Sequence, residues 1–360
     1  MGKHLDKGKH ILKRITGLRL FFPVCALCLV LVFNIIKTPT FFHVSIQNGV
    51  LYGYMIDIIN RSSELIILAV GMTLVIATAG IDISVGSVSA IAAALCVRLL
   101  GSSYDSYGVP MALSIFAALL AGTACGAFNG FLVAKMRIQT MVATLILFTA
   151  GRGIAQLISA REINGVMVPG QILYVRMESF KYIGGFLPGV VIPTPIFIAL
   201  FVVLIAYVVL TKTALGLYIK TVGINSRAGR LVGITSSLIK FFCYVICGLT
   251  AAVAGVIYSS RIYSSDANNI ALYMELDAIL AVAIGGNSMS GGRLSLAGTV
   301  IGAVTIQALT TSLYAMGVTA DQLPVYKALV VILIVSIQSE ELRRWVSSYT
   351  QKRLGSKAAL

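Results

Sequence analysis

Charge is scarce in this chain, and acid is scarcer than base. Its 360 residues include 13 Asp and Glu against 28 Lys and Arg, and charged residues are only 11% of the total. Histidine occurs three times, and His4, His10 and His43 all fall outside the apolar stretches. Carriers that relay protons across a membrane do so through carboxylates or histidines within it, so their lack argues against proton coupling. The pattern Gly-x-x-x-x-Gly-Lys-Ser/Thr is missing, which excludes ATP hydrolysis through a phosphate-binding loop. No polar stretch is long enough for a soluble domain. No small-residue cleavage site follows the first apolar segment, where Lys37-Thr-Pro-Thr comes next. The basic N-terminus with residues 20–36 therefore reads as an uncleaved first span. All six cysteines lie in apolar segments, and Cys25-x-x-Cys28, with no other ligand type close by, reads as small hydrophobes.

What is abundant is apolar surface. Hydrophobic residues are 58% of the chain, and the mean hydropathy is +0.93. The charge-free windows 109–134 and 294–320 each exceed the roughly 18–20 residues a helix needs to cross hydrocarbon. The expected fold is an all-α, polytopic transmembrane bundle. Its ten spans are drawn at 20–36, 65–81, 87–100, 109–134, 138–159, 195–210, 238–259, 275–285, 294–316 and 324–338, several of them short or broken. An even count puts both basic termini on one side. The inner segments, with Lys240 counted in its loop, then hold 19 of the 28 Lys and Arg; the outer ones hold six, namely Lys37, Arg61, Arg161, Arg176, Lys181 and Arg261. That asymmetry is the positive-inside pattern, and it accounts for the net charge of +15 without nucleic acid as a partner. The domain reading is a basic cytoplasmic N-terminus at 1–19, one transmembrane domain at 20–338 with an inner loop at 211–237, and a basic cytoplasmic C-terminus at 339–360.

The inner loop is the largest polar interruption. Gly223-Ile-Asn-Ser-Arg-Ala-Gly-Arg-Leu-Val-Gly-Ile reads as a single short helix with Asn225 as N-cap and Gly233 as its stop. Ala228, Leu231 and Val232 form its apolar face, and Arg227 and Arg230 its basic one. A helix that short is unstable alone in water, so a docked partner is expected. Gly80-Ile-Asp82-Ile-Ser84-Val-Gly breaks an apolar run; Asp82 is either part of a tight turn at the membrane surface or a pathway element that accepts freed backbone N–H groups. Thr73, Thr78, Asn129, Thr140, Thr144 and Gln156 are polar but uncharged. With Asp82 and Ser84 they suit a path for a neutral, hydroxyl-rich solute, although each alone serves equally well as interhelical glue. Glu275 and Asp277 fit the first turn of a helix better than a metal site. Arg152 either snorkels outward or pairs with a carboxylate such as Asp277. Arg161, Arg176 and Arg261 are outer cations available for salt bridges to a docking protein, or for lipid headgroups.

Gly71-Met-Thr-Leu-Val-Ile-Ala-Thr-Ala-Gly-Ile-Asp-Ile-Ser-Val-Gly-Ser resembles a long motif of ribose-type ABC sugar importer permeases. So do Asn129-Gly-Phe-Leu-Val-Ala, Val142-Ala-Thr-Leu and Glu275-Leu-Asp-Ala-Ile-Leu-Ala-Val-Ala-Ile-Gly-Gly; the resemblance runs over about residues 50–340. Ala150-Gly-Arg-Gly-Ile-Ala-Gln-Leu-Ile and Asp266-Ala-Asn-Asn point toward members that carry galactofuranose. The resemblance implies a non-enzymatic permease of a bacterial inner membrane, importing a monosaccharide such as galactofuranose or ribose. It further implies a second permease subunit, a partner ATPase that binds ATP and Mg, and a periplasmic sugar-binding protein. Gly223, Asn225, Arg227, Ala228, Arg230, Leu231, Gly233 and Ile234 fall on or within the family's coupling loop, of the form G-x-N-x-x-A-A-x-x-x-G-I; Gly229 departs from its second Ala. The alternatives are a stand-alone secondary transporter or channel for a small neutral solute, and a membrane scaffold or exporter component.

Overall fold

The computed structural model describes residues 20–37, 41–47, 49–101 and 108–338; the basic segments 1–19 and 339–360 lie outside the described residues. Helix α1 (Phe21–Lys37) leads into hairpin β1–β2 (Ser45–Gln47, Val50–Tyr52), then α2 (Tyr54–Ala77) and α3 (Val85–Leu100). Helix α4 (Met111–Gly130) runs on through a π-helical turn (Phe131–Lys135) before α5 (Thr140–Ile158). A loop follows with hairpin β3–β4 (Arg161–Ile163, Val166–Val168), strand β5 (Leu173–Tyr174) and short helix α6 (Lys181–Gly184). Then come α7 (Thr194–Lys212), α8 (Ala214–Ile224), α9 (Ser226–Leu231) and α10 (Ser236–Ile262). Strand β6 (Ser264–Ser265), which pairs with β5, precedes α11 (Met274–Ile284), α12 (Leu296–Ala315) and α13 (Leu323–Gln338).

Each apolar segment drawn from hydropathy overlaps a helix, the 65–81 segment only in part. Among the described residues six helices are long and apolar enough to cross a membrane: α2, α4 with its π-helical turn, α5, α7, α10 and α12. The chain is a mostly helical, multi-pass membrane protein, with three small two-stranded sheets among the described residues that hydropathy did not foresee.

Helix α2 sets the arrangement. Packed against α7, α10, α11 and α12, it is buried without interruption from Ser62 to Ala77. It starts at Tyr54 and stops at Ala77, not at 65 and 81, because Asp57, Arg61 and Glu64 dilute the hydropathy of its first turns. The fold neutralises all three. Arg61 Nε lies 2.8 Å from Asp57 one turn away, and Glu64 lies 2.9 Å from Arg261 on α10. A charge is tolerated within a membrane protein when it is paired in this way.

Backbones approach closely elsewhere. Gly122, Gly126 and Gly130 recur every fourth residue on α4 and face α10. A Cβ at Gly248 would clash with the Gly122 carbonyl and lie 2.7 Å from Gly126 Cα. Small residues at this spacing are how membrane helices gain van der Waals contact, since lipid tails are as apolar as leucine. Facing outward, α7 exposes Leu200 and Phe201 at 63% each, the surface expected against lipid.

Gly248→Val should therefore overpack the α4–α10 contact by about 1–3 kcal/mol. Fluorescence-detected size exclusion of heated, detergent-solubilised protein should show a lower melting midpoint. An unchanged midpoint would contradict the backbone contact.

Candidate functional site

The interruption between α7 and α10 contains two helices rather than the expected one. Thr213 caps α8, its hydroxyl accepting from the Leu215 N–H at 3.3 Å. Asn225 (φ −156°, ψ 99°) ends α8 and starts α9 at once. Its backbone N–H donates to Thr221 O, and its side-chain oxygen accepts from the N–H groups of Arg227 and Ala228 at 2.9 and 3.0 Å. At the other end Gly233 has φ +84°. Its N–H donates to Arg230 O while the Ile234 N–H donates to Gly229 O. This pair of bonds is a Schellman stop, which wants a left-handed residue and so favours glycine. A six-residue helix is thus fixed by its caps, not by its length.

The outward side of α9 is unusually apolar. Leu231 is 89% exposed, Val232 73% and Ile224 75%, and Arg227, Ala228 and Arg230 are exposed beside them. Gly229 faces the other way. It is buried 3.6 Å from both the Ser236 and Thr221 side chains, so its departure from alanine leaves the exposed face untouched. Gly223 lies in the last turn of α8 instead of in the short helix, packed against the backbone of Ala77 and Gly292.

Helix α2 also ends in a Schellman stop. Ala79 (φ +60°) donates to Ile76 O and Gly80 to Val75 O. In the break that follows, Asp82 is buried, only 1% exposed. Asp82 Oδ1 accepts from the Ser84 N–H at 2.9 Å, the Ser84 hydroxyl at 2.6 Å and Asn129 Nδ2 at 3.4 Å. Asn129 Nδ2 also donates to Ser84 Oγ at 2.8 Å, and its Oδ1 is buried with no partner among the described residues. Thr144 accepts from the Ile83 N–H at 3.4 Å and donates to Thr140 O at 3.0 Å. Tyr244, fully buried, donates to Ile81 O at 3.4 Å and meets the Thr140 side chain. Asp82, Ser84, Asn129, Thr140 and Thr144 therefore come together around one broken helix, and the donors that hold the carboxylate are neutral.

The other expected polar residues lie elsewhere. Thr73 belongs to a second network, its hydroxyl 2.8 Å from that of Thr299. There Asn287 Nδ2 donates to Thr299 Oγ1 at 3.0 Å and to Val282 O at 2.9 Å, and Asn287 Oδ1 accepts from the Ser295 N–H. Asn287 thus does for the break between α11 and α12 what Asp82 does for the first. Thr78 only bonds back to Val75 O. Gln156 bonds Asn268, in a separate cluster with Gly170.

The cations are committed more fully than the sequence suggests. Arg261 is turned inward; its Nη2 meets Glu64 and donates to Asn60 O at 2.9 Å, so it is not presented to a docking protein. Arg152 neither snorkels nor pairs with Asp277. It donates to the carbonyls of Ala267 and Ile270 at 3.1 and 2.7 Å, and Asp277 pairs with Lys327 at 2.8 Å. Arg176 is exposed and Arg161 half-buried on the loop between α5 and α7. Tyr244, Thr299, Asn287 and Ser295 escaped the sequence reading. The available signal was the second glycine-rich break, Ala283-Ile-Gly-Gly-Asn-Ser-Met-Ser-Gly-Gly, which mirrors the first.

Residues 54–337 match the family described as branched-chain amino acid transport system / permease component. The galactofuranose transporter permease of Escherichia coli (strain K12) is 43% identical over 316 residues, 88% of each chain. A fructose import permease of Bifidobacterium longum (strain NCC 2705) is 36% identical over 351 residues, 96% of this chain and 95% of the relative. The ribose import permease of Escherichia coli (strain K12) is 36% identical over 288 residues, 80% of this chain and 86% of the relative. No solved structure matches the chain. With a match from the start of α2 to the end of α13 and relatives covered over most of their length, the chain belongs to this family of ABC-importer permease components, among members named for sugars.

Proposed function

We propose that this chain is the membrane subunit of a bacterial inner-membrane importer for galactofuranose or a related monosaccharide such as ribose. The observation that carries the reading is α9, a doubly capped helix with an exposed apolar and basic face and no core of its own. Such a face fits a groove on a soluble partner, the helix-in-groove mode of recognition. In this reading the partner is an ATPase that binds ATP and Mg, docked on Asn225, Arg227, Ala228, Arg230, Leu231, Gly233 and Ile234. Ten spans, carried in one domain over 20–338, put both basic termini on the cytoplasmic side with the ATPase. A periplasmic binding protein delivers sugar at the opposite end, where Arg161 and Arg176 are its proposed contacts. A second permease, identical or paralogous, completes the pathway.

The neutral donors around Asp82, and the Asn129 oxygen that has no partner among the described residues, support hydroxyl-rich cargo over ions. Asp82, Ser84, Asn129, Thr140 and Thr144 are the proposed pathway residues, joined by Thr73, Thr299 and Asn287 from the second network.

Reconstitution tests this directly. Uptake into proteoliposomes should require the ATPase subunit, ATP and the loaded binding protein. Uptake driven by an ion gradient without the ATPase would instead support a stand-alone carrier. Ala228→Asp places an acidic charge on a face that docking would bury and should lower ATP-driven uptake roughly tenfold or more with the spans folded. Normal stimulated ATPase in the assembled mutant would overturn the assignment of α9.

Gly229→Ala should do the opposite locally. The added methyl meets its neighbours at ordinary contact distances, and the helix gains about 0.5–1 kcal/mol. Amide hydrogen exchange in α9 should slow, with ATP-driven uptake retained; faster exchange would contradict the inward placement of Gly229.

A further inference from the structure

Three segments distant in sequence meet backbone to backbone beside α9. The Gly292 N–H, in the second break, donates to Ala77 O at the end of α2 at 3.0 Å. Gly223, at the end of α8, lies over this bond: a Cβ there would clash with Ala77 O and sit 2.5 Å from Gly292 N. A Cβ at Gly291 would lie 2.9 Å from Ala79 Cβ and 3.0 Å from Gly223 O, and one at Gly292 would lie 2.5 Å from Ile224 Cγ1. Where Gly223 meets Ala77 and Gly292 the contact is backbone on backbone, so displacement of one leaves the others little room to relax.

The junction stands where both polar networks begin. Past Ala77 the chain turns through Ala79 to Asp82, Ser84 and Asn129; on either side of Gly292 lie Asn287 and Ser295, which lead to Thr299 and Thr73. Before Ala77 runs α2, pinned near its middle to α10 through Glu64 and Arg261. We infer that the Ala77–Gly223–Gly292 junction is the positioning contact that makes both glycine-rich breaks move together with the α8–α9 segment. The inference rests on the reading of α9 as the ATPase contact, and assigns the step after docking. An actuator of this kind needs a contact that passes on displacement without deforming, which closely packed backbones provide and flexible side chains do not.

Gly223 offers the cleanest test. Its backbone is helical, so alanine is locally favourable, and any loss comes from the contact. In nanodiscs holding the permease, its ATPase and loaded binding protein, Gly223→Ala should assemble normally yet move at least roughly tenfold less sugar per ATP hydrolysed, a loss equal to about 1.4 kcal/mol of coupling. Ala79→Gly, which removes a methyl from the junction and relaxes a left-handed alanine, should lower the same ratio without adding bulk. If both variants keep the natural ratio, the inference is wrong. Ala228→Asp, run in parallel, separates the two claims. Uncoupling by Ala228→Asp alone defeats the junction and spares the docking helix. Uncoupling by the junction variants while Ala228→Asp stays coupled defeats the docking reading, and the inference with it. Should Gly223→Ala fail to assemble, Ala79→Gly decides alone.

Discussion

In a bilayer the hydrophobic effect does not draw helices together, and this fold depends on backbones that touch. Gly122 and Gly126 let α4 lie on α10, and Gly285, Gly298 and Gly302 do the same for α11 and α12. The contact of Ala77, Gly223 and Gly292 belongs to the same kind but joins three segments at once. Because these contacts are made by main chain, they are stiff. Motion that enters at one end of α2 is not absorbed by rotamer changes on the way.

Stiff helices have to be interrupted if a pathway is to open and close, and each interruption frees backbone groups that need partners. Two side chains meet that need. Asp82 takes the N–H of Ser84 ahead of α3, and Asn287 takes the N–H of Ser295 ahead of α12. Around each gather neutral hydroxyls and amides. In the proposed reading, the same groups that make a broken helix tolerable in the membrane also offer a sugar hydroxyl its donors and acceptors. The charged residues are used elsewhere, as ties: Glu64 with Arg261 joins α2 to α10, and Asp277 with Lys327 joins α11 to α13.

Hydropathy made the helices legible because lipid-facing and core-facing residues are alike apolar. It failed where charge is internally paired, hence the misplaced start of α2. The caps of α9 were also readable, since Asn225 and Gly233 act through local backbone geometry. The boundary between α8 and α9 was not, because one Asn serves as the end of one helix and the start of the next, and nothing in residue type marks a double cap. Long-range pairings were least legible. Arg261 and Arg152 are indistinguishable from exposed cations until Glu64 and the carbonyls of Ala267 and Ile270 are placed beside them. The gathering of Asp82 with Asn129 could be suspected from polarity, but Thr299 and Tyr244 join these clusters only through tertiary contact.

The central claim is that the Ala77–Gly292 bond persists while the breaks around it rearrange. Hydrogen exchange at the Gly292 amide, followed in the assembled transporter with and without trapped ATP, measures this most directly. The account predicts that Gly292 stays protected in both states while the Ser84 amide changes its protection between them. An amide at Gly292 that becomes freely exchanging in either state would contradict it.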